Sequence, residues 1–305
     1  MASFATKVIR LSLKAVSAVS PAAAGEMAFR IFCLTPNRKP KNGKERALLS
    51  AAAPLMEQSR KITLSFAGGW VFVRHFPRHG SGRGPRVLLT HGWGSRSDYL
   101  AALIDGLLAA GAEVVALDWP GHGGSPGRSL TMPQAVRAID AAWRHFEGFD
   151  VCIGHSFGGA SLACAAGGVV CDLPARVPGK LVLIGAPSEM AWLFQGFGKM
   201  MALVPAAQAA FEGMVERLSG RRVEDFDAAG VTAALNKPVL VVHAEDDKEV
   251  SADHARRYGA SGPHVELHWA NGLGHRRIVS ASPVIEKIIA FLGEGQQTGH
   301  LRKIA

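Results

Sequence analysis

The chain has 305 residues, 48% of them hydrophobic and 19% charged, which is enough apolar material for one large core or at most two domains and excludes a disordered chain. Its four cysteines, Cys33, Cys152, Cys164 and Cys171, form no CxxC pair, so neither a zinc site nor a disulfide framework is indicated, and a reducing, cytoplasmic setting is the expectation. The net charge of +9 is concentrated in residues 1–46, where nine basic groups face only Glu26 and Glu45; the remainder is nearly neutral and lacks the basic face that nucleic acid requires.

Residues 1–60 read as a basic N-terminal helical segment and linker. Within residues 4–18, Lys7, Arg10, Lys14 and Ser17 recur at helical spacing, with Phe4, Val8, Leu11, Ala15 and Ala18 on the adjoining face. Such an amphipathic helix can lie on an anionic membrane, so peripheral membrane contact is one reading. A signal peptide cleaved after Ala22-Ala23-Ala24 is another, which would make the protein exported, but Arg10 and Lys14 interrupt its apolar stretch. The leading expectation is that the helix docks on the protein's own surface, because its apolar face is Ala-rich and buries little area. The basic stretch 37–46 (NRKPKNGKER) then reads as a linker. No run of eighteen apolar residues lacks charge, so no spanning helix is expected.

From residue 61 the chain alternates strands and helices. Strand-like runs stand at 61–66, 70–76, 86–90, 113–117, 149–153, 180–185, 238–243 and 264–269. The first two flank Ala67-Gly68-Gly69 and read as an antiparallel hairpin. Helix-like stretches at 97–110, 131–147, 156–169, 251–260 and 283–292 separate the others, the pattern of an α/β fold with a mostly parallel sheet covered on both faces. Residues 188–236 break the rhythm and read as a helical insertion into a core made of 61–187 and 237–293, with a tail at 294–305.

In open parallel sheets ligands bind beyond the carboxyl ends of the strands, and there the notable residues lie. After the 149–153 run comes Gly154-His155-Ser156-Phe157-Gly158-Gly159, whose small residues permit a sharp strand-to-helix turn exposing the Ser156 hydroxyl. A serine hydroxyl is a weak nucleophile and needs a base held by a third group. His275, in the Gly-flanked loop after the last strand, supplies the base. The acid comes from Asp246 or Asp247 after the 238–243 run, or from Glu189, with the spacing to Val250 favouring Asp247. Two backbone N–H donors are needed for an oxyanion, and Trp93 and Phe157 offer them. Asp118 reads as a loop-fixing residue, and His122 and His155 as scaffolding. Arg276 and Arg277 read as solvated or helix-contacting groups.

At this point the chain resembles the α/β-hydrolase superfamily, through HGWG (91–94), LDWPGHGGS (117–125), GHSFGG (154–159), Asp247-x-x-Val250 and GLGHRR (272–277). More narrowly it is similar to bacterial serine-dependent hydrolases of the esterase, lysophospholipase and serine aminopeptidase branch. The resemblance implies the α/β-hydrolase fold, a triad of Ser156, Asp247 and His275, and a helical cap over the site. Departures from the family pattern are Ala244, where Gly is usual, and Lys248, where Pro often follows the Asp. The insertion is rich in Trp, Phe and Met. Most of these side chains should pack on the core, with Trp192, Phe194 and Phe197, together with Trp93, lining a substrate pocket. The implied activity is hydrolysis of small apolar esters through an acyl-enzyme, with no metal or organic cofactor. Thioester, amide or carbon–carbon cleavage and a non-catalytic ligand-binding role stand as alternatives.

Overall fold

The computed structural model describes residues 4–78 and 84–294. Three helices lead, α1 (Phe4–Val19), α2 (Pro21–Phe32) and α3 (Gly43–Glu57), followed by the hairpin β1 (Arg60–Phe66) and β2 (Gly69–Phe76). The alternating body comprises β3 (Arg86–Thr90), α4 (Ala101–Ala109), β4 (Glu113–Asp118), α5 (Met132–His145), β5 (Val151–His155), α6 (Phe157–Ala166) and β6 (Lys180–Ile184). Next come three helices, α7 (Met190–Met201), α8 (Pro205–Ser219) and α9 (Ala228–Ala234). The chain then returns through β7 (Val239–His243), α10 (Ala252–Gly259), β8 (Val265–Trp269), the short α11 (Gly274–Arg277) and α12 (Ser282–Gly293). Of the tail at 294–305, all but Glu294 lies outside the described residues.

The eight strands form one sheet in the order β1-β2-β4-β3-β5-β6-β7-β8. β1 and β2 are antiparallel, with Phe66 opposite Gly69 across a tight turn in which Gly68 takes a φ of +102°. β2 also runs antiparallel to β4, and every later pair is parallel. Strand alternation divides the core in two. Leu88, Val115, Leu117, Cys152, Leu181, Leu183 and Val241 point to the face covered by α1, α2, α5, α6 and the inserted helices. Their neighbours Leu89, Val114, Ala116, Ile153, Val182, Ile184 and Val242 point to the face covered by α3, α4 and α12. A strand buried on both faces reads as a continuous apolar run, as these do.

The N-terminal segment is folded onto this body. α1 docks on the protein's own surface through Ile9 and Leu13, with Leu13 only 2% exposed and Val16 half-buried. The face that docks is therefore not the Phe4, Val8 and Leu11 face singled out by spacing, which stays exposed. α2, capped by Ser20 and begun by Pro21, lies against α8. Contact is so close that a Cβ on Gly25 would stand 2.6 Å from the Ala210 Cβ. Beyond α2, the Cys33 carbonyl accepts the Leu130 N–H and the Thr35 N–H donates to Arg128, stitching the segment to the loop after β4. The stretch 37–46 is not a linker throughout. Asn42 caps α3, its side chain accepting the Glu45 N–H, so helix begins at Gly43.

Candidate active site

The turn between β5 and α6 carries Ser156 at φ +54° and ψ −122°, a backbone conformation that costs a non-glycine residue about 1–3 kcal/mol. Two glycines make it feasible. A Cβ on Gly154 would lie 2.5 Å from the Gly159 nitrogen, and one on Gly158 would lie 2.7 Å from the His91 carbonyl oxygen. The result is a half-buried Ser156 at the start of a helix, facing a cavity, with its own N–H held by the Ile184 carbonyl.

His275 and Asp247 meet at the far ends of β7 and β8. The His275 Nδ1–H donates to Asp247 Oδ2 at 2.7 Å, which leaves Nε2 as the free basic nitrogen. Asp247 Oδ1 accepts the N–H groups of Glu249 and Val250 at 2.8 and 2.9 Å. Burial pushes the Asp247 carboxyl up, but the bonds from His275, Val250 and Glu249 outweigh it and leave its pKa lowered. The neighbouring Asp246 turns away, with Oδ1 accepting the Gly272 N–H at 2.7 Å. Glu189 pairs with Arg257 at 3.0 Å. Of the three acids the sequence offered, only Asp247 reaches His275. Gly185 stands beside the pair at φ +56°, where a side chain would crowd His275 Nδ1 at 3.3 Å.

A histidine relay fixes the surrounding loops. The His155 Nε2–H donates to the His275 carbonyl at 2.9 Å, tying the Ser156 turn to the His275 loop. Burial pushes the His155 imidazole down to about 3, so it stays neutral. The Gly94 N–H donates to His122 Nε2 at 2.9 Å, while His122 Nδ1–H donates to the Pro120 carbonyl. Burial and the nearby His91 take His122 down to about 4. His91 donates from Nδ1 to the Gly92 carbonyl, and its Nε2 receives the Trp119 N–H. Together these bonds hold the Gly92-Trp93-Gly94 turn opposite Ser156. Asp118 fixes the same region, accepting from Ser97 and Gly124 at 2.8 Å each.

Ser156, Phe157, Trp93 and His275 all border one cavity of about 390 Å³. Trp192, Phe194 and Phe197 line it from α7, so the four side chains proposed for substrate contact are brought together. Met200, Met201 and Phe211 are not among its walls. One wall was not foreseen. Phe29, Ile31, Phe32 and Cys33 enter from α2 and its end, and Phe32 sits 4.8 Å from Phe194 and 5.1 Å from Phe197 between ring centroids. Ser20-Pro21 followed by Met27, Phe29 and Phe32 is the local signal for that helix, but nothing local says where it docks. The acid at the cavity's edge, Glu249, is paired with Arg276 at 2.7 Å. Arg277 donates to the Gly272 carbonyl, so neither arginine faces the cavity.

A family model described as Alpha/beta hydrolase family matches residues 87–286. A protein carrying the name carbamate hydrolase RutD, from Variovorax paradoxus (strain S110), is 26% identical over 271 residues, covering 74% of this chain and 98% of that protein. Among solved structures, the Pyrococcus furiosus esterase Pf2001 superposes with a TM-score of 0.59 at 18% identity, covering 85% of this chain and 97% of the esterase. The esterase RhEst1 from Rhodococcus superposes at 0.55 and 19% identity, covering 78% of this chain and 99% of that one.

Proposed function

The chain belongs to the alpha/beta hydrolase family, and from that premise we propose that it is a serine hydrolase cleaving carboxylic esters of small apolar molecules. The observation that carries this reading is an apolar-walled cavity that Ser156 and the Asp247-bound His275 both line. In the proposed cycle, His275 Nε2 takes the Ser156 proton as the hydroxyl attacks the ester carbonyl. Asp247 holds the imidazole tautomer and stabilises the imidazolium. The N–H groups of Trp93 and Phe157 receive the oxyanion, the latter from the first residue of α6. The protonated His275 then hands its proton to the departing alkoxide. Water, deprotonated by His275, finally attacks the acyl-enzyme and releases the acid.

The helices between β6 and β7 act as the cap, and α2 completes it. A cavity of this volume, walled by aromatic and aliphatic side chains with its one carboxylate paired outward, suits an uncharged acyl or alcohol group. The relative named as a carbamate hydrolase and the neighbouring esterases fit the same attack on an acyl carbon. The test is labelling with a fluorophosphonate, then hydrolysis of nitrophenyl esters of rising chain length beside a carbamate. Wild type is expected to be labelled at Ser156 and to prefer uncharged esters. Ser156→Ala should fold, resist labelling and lose several orders of magnitude in kcat. Wild-type ester turnover by purified Ser156→Ala would overturn the assignment, and a clear preference for charged acyl groups would overturn the apolar pocket.

A further inference from the structure

α1 has two apolar faces, and the protein uses one. Ile9 and Leu13 pack into the body, Val16 beside them is half-buried, and Arg10 ties the helix to α7 by donating from Nε to the Met200 carbonyl at 2.6 Å. On the other side Phe4, Val8, Leu11, Ala15, Ala18 and Val19 fall within an arc of about 100° at helical spacing. All six are exposed, Phe4 at 83%, Leu11 at 69% and Val19 at 90%. Exposed apolar side chains aligned along one helix face mark an interaction surface, whereas single scattered ones do not.

The chemistry of the rim identifies the occupant. Lys7 and Lys14 stand at one edge of the arc, exposed, and neither has an ion-pair partner among the described residues. α1 contains no acidic residue, so a second copy pairing through this face would meet cations with no compensating charge. An anionic headgroup layer supplies that charge while its acyl boundary takes up the Phe, Val and Leu side chains. No described helix is long and apolar enough to cross a membrane, so the geometry is that of a helix lying in the interface. We propose that the exposed face of α1 docks the protein on anionic lipid bilayers. Because only Ser20 separates α1 from α2, which walls the cavity, docking brings the cap region to the lipid surface. The docking stands apart from the choice of scissile bond, since lipid binding is read without any turnover.

The experiment is sedimentation of the full chain with vesicles of phosphatidylcholine containing phosphatidylglycerol, and with phosphatidylcholine alone. Wild type should pellet with the anionic vesicles and be released by high salt. Leu11→Asp should lower the partition coefficient at least about ten-fold, and Lys7→Gln and Lys14→Gln roughly five-fold each. All three positions are exposed, so near-UV circular dichroism and nitrophenyl ester hydrolysis should match wild type. Failure of wild type to pellet with anionic vesicles overturns the proposal, as does equal binding to neutral ones. A dimer in sedimentation equilibrium that Leu11→Asp dissociates, without vesicle binding, would instead assign the face to a second copy.

Discussion

Asp246 and Asp247 are adjacent in the chain and opposite in role. One carboxylate ties down the Gly272 loop and the other receives the His275 Nδ1–H. Asp247→Asn would present an amide where the imidazole needs an acceptor, favouring the wrong tautomer, and kcat should fall about 10³–10⁴-fold. Asp246→Asn keeps an acceptor oxygen for the Gly272 N–H and should cost far less. Nitrophenyl ester kinetics of both variants decide it, and equal losses would reject the distinction. The buried histidines carry a second consequence. His122 and His155 remain neutral in the folded protein down to about 4 and about 3. In the unfolded chain both protonate near pH 6.5. The unfolded state therefore binds more protons below that pH, and stability must fall as pH falls, by up to about 2.7 kcal/mol per pH unit for the two. Urea midpoints measured from pH 7 down to pH 5 should decline steadily, and His122→Gln should show a shallower decline. A flat wild-type profile would contradict the buried, neutral assignment.

At the scale of elements, α2 packs against α8, and both helices contribute side chains to the cavity lining. Gly25 lets the two backbones approach, and Phe29 and Phe32 then reach Phe194, Phe197 and Phe211. Gly25→Val would force a branched side chain against Ala210 and Phe211 and push the helices apart. A loss of about 1–3 kcal/mol in urea unfolding is expected. Phe32→Ala removes half-buried aromatic bulk from the cavity wall, with a cost of about 2–4 kcal/mol. The same change should raise the rate on longer or bulkier acyl chains relative to short ones. An unchanged chain-length profile in that variant would mean that α2 does not bound the acyl site.

For the whole molecule, the N-terminal helices are part of the folded body. Truncation after residue 19 removes α1 but keeps the Ser20 cap of α2, so hydrolysis of soluble esters should persist. Stability should fall by about 2–3 kcal/mol, because Leu13 and its neighbours no longer cover the core. Truncation after residue 33 should behave differently. It uncovers Phe194 and Phe211, removes one wall of the cavity, and should yield protein that aggregates or lacks activity. Equal activity of the two truncations would show that α2 is dispensable.

What the sequence by itself determined is the set of features encoded locally. Alternating apolar runs located the strands to within a residue or two, since burial on both faces of a parallel sheet leaves a continuous hydrophobic imprint. Glycines marked the Ser156 turn because no other residue fits the backbone contacts at positions 154 and 158. The order of Ser156, Asp247 and His275 at strand ends was legible for the same reason. Tertiary structure decided matters that depend on contacts far apart in the chain. Only the folding together of β7 and β8 shows which of two adjacent aspartates faces His275, because a one-residue shift leaves composition and spacing almost unchanged. Only docking shows that α2 walls the cavity, more than a hundred residues before the helices it meets. The same holds for α1: periodicity revealed an apolar face but not a second one, and burial of Leu13 selected which of the two turns inward and which is left to solvent.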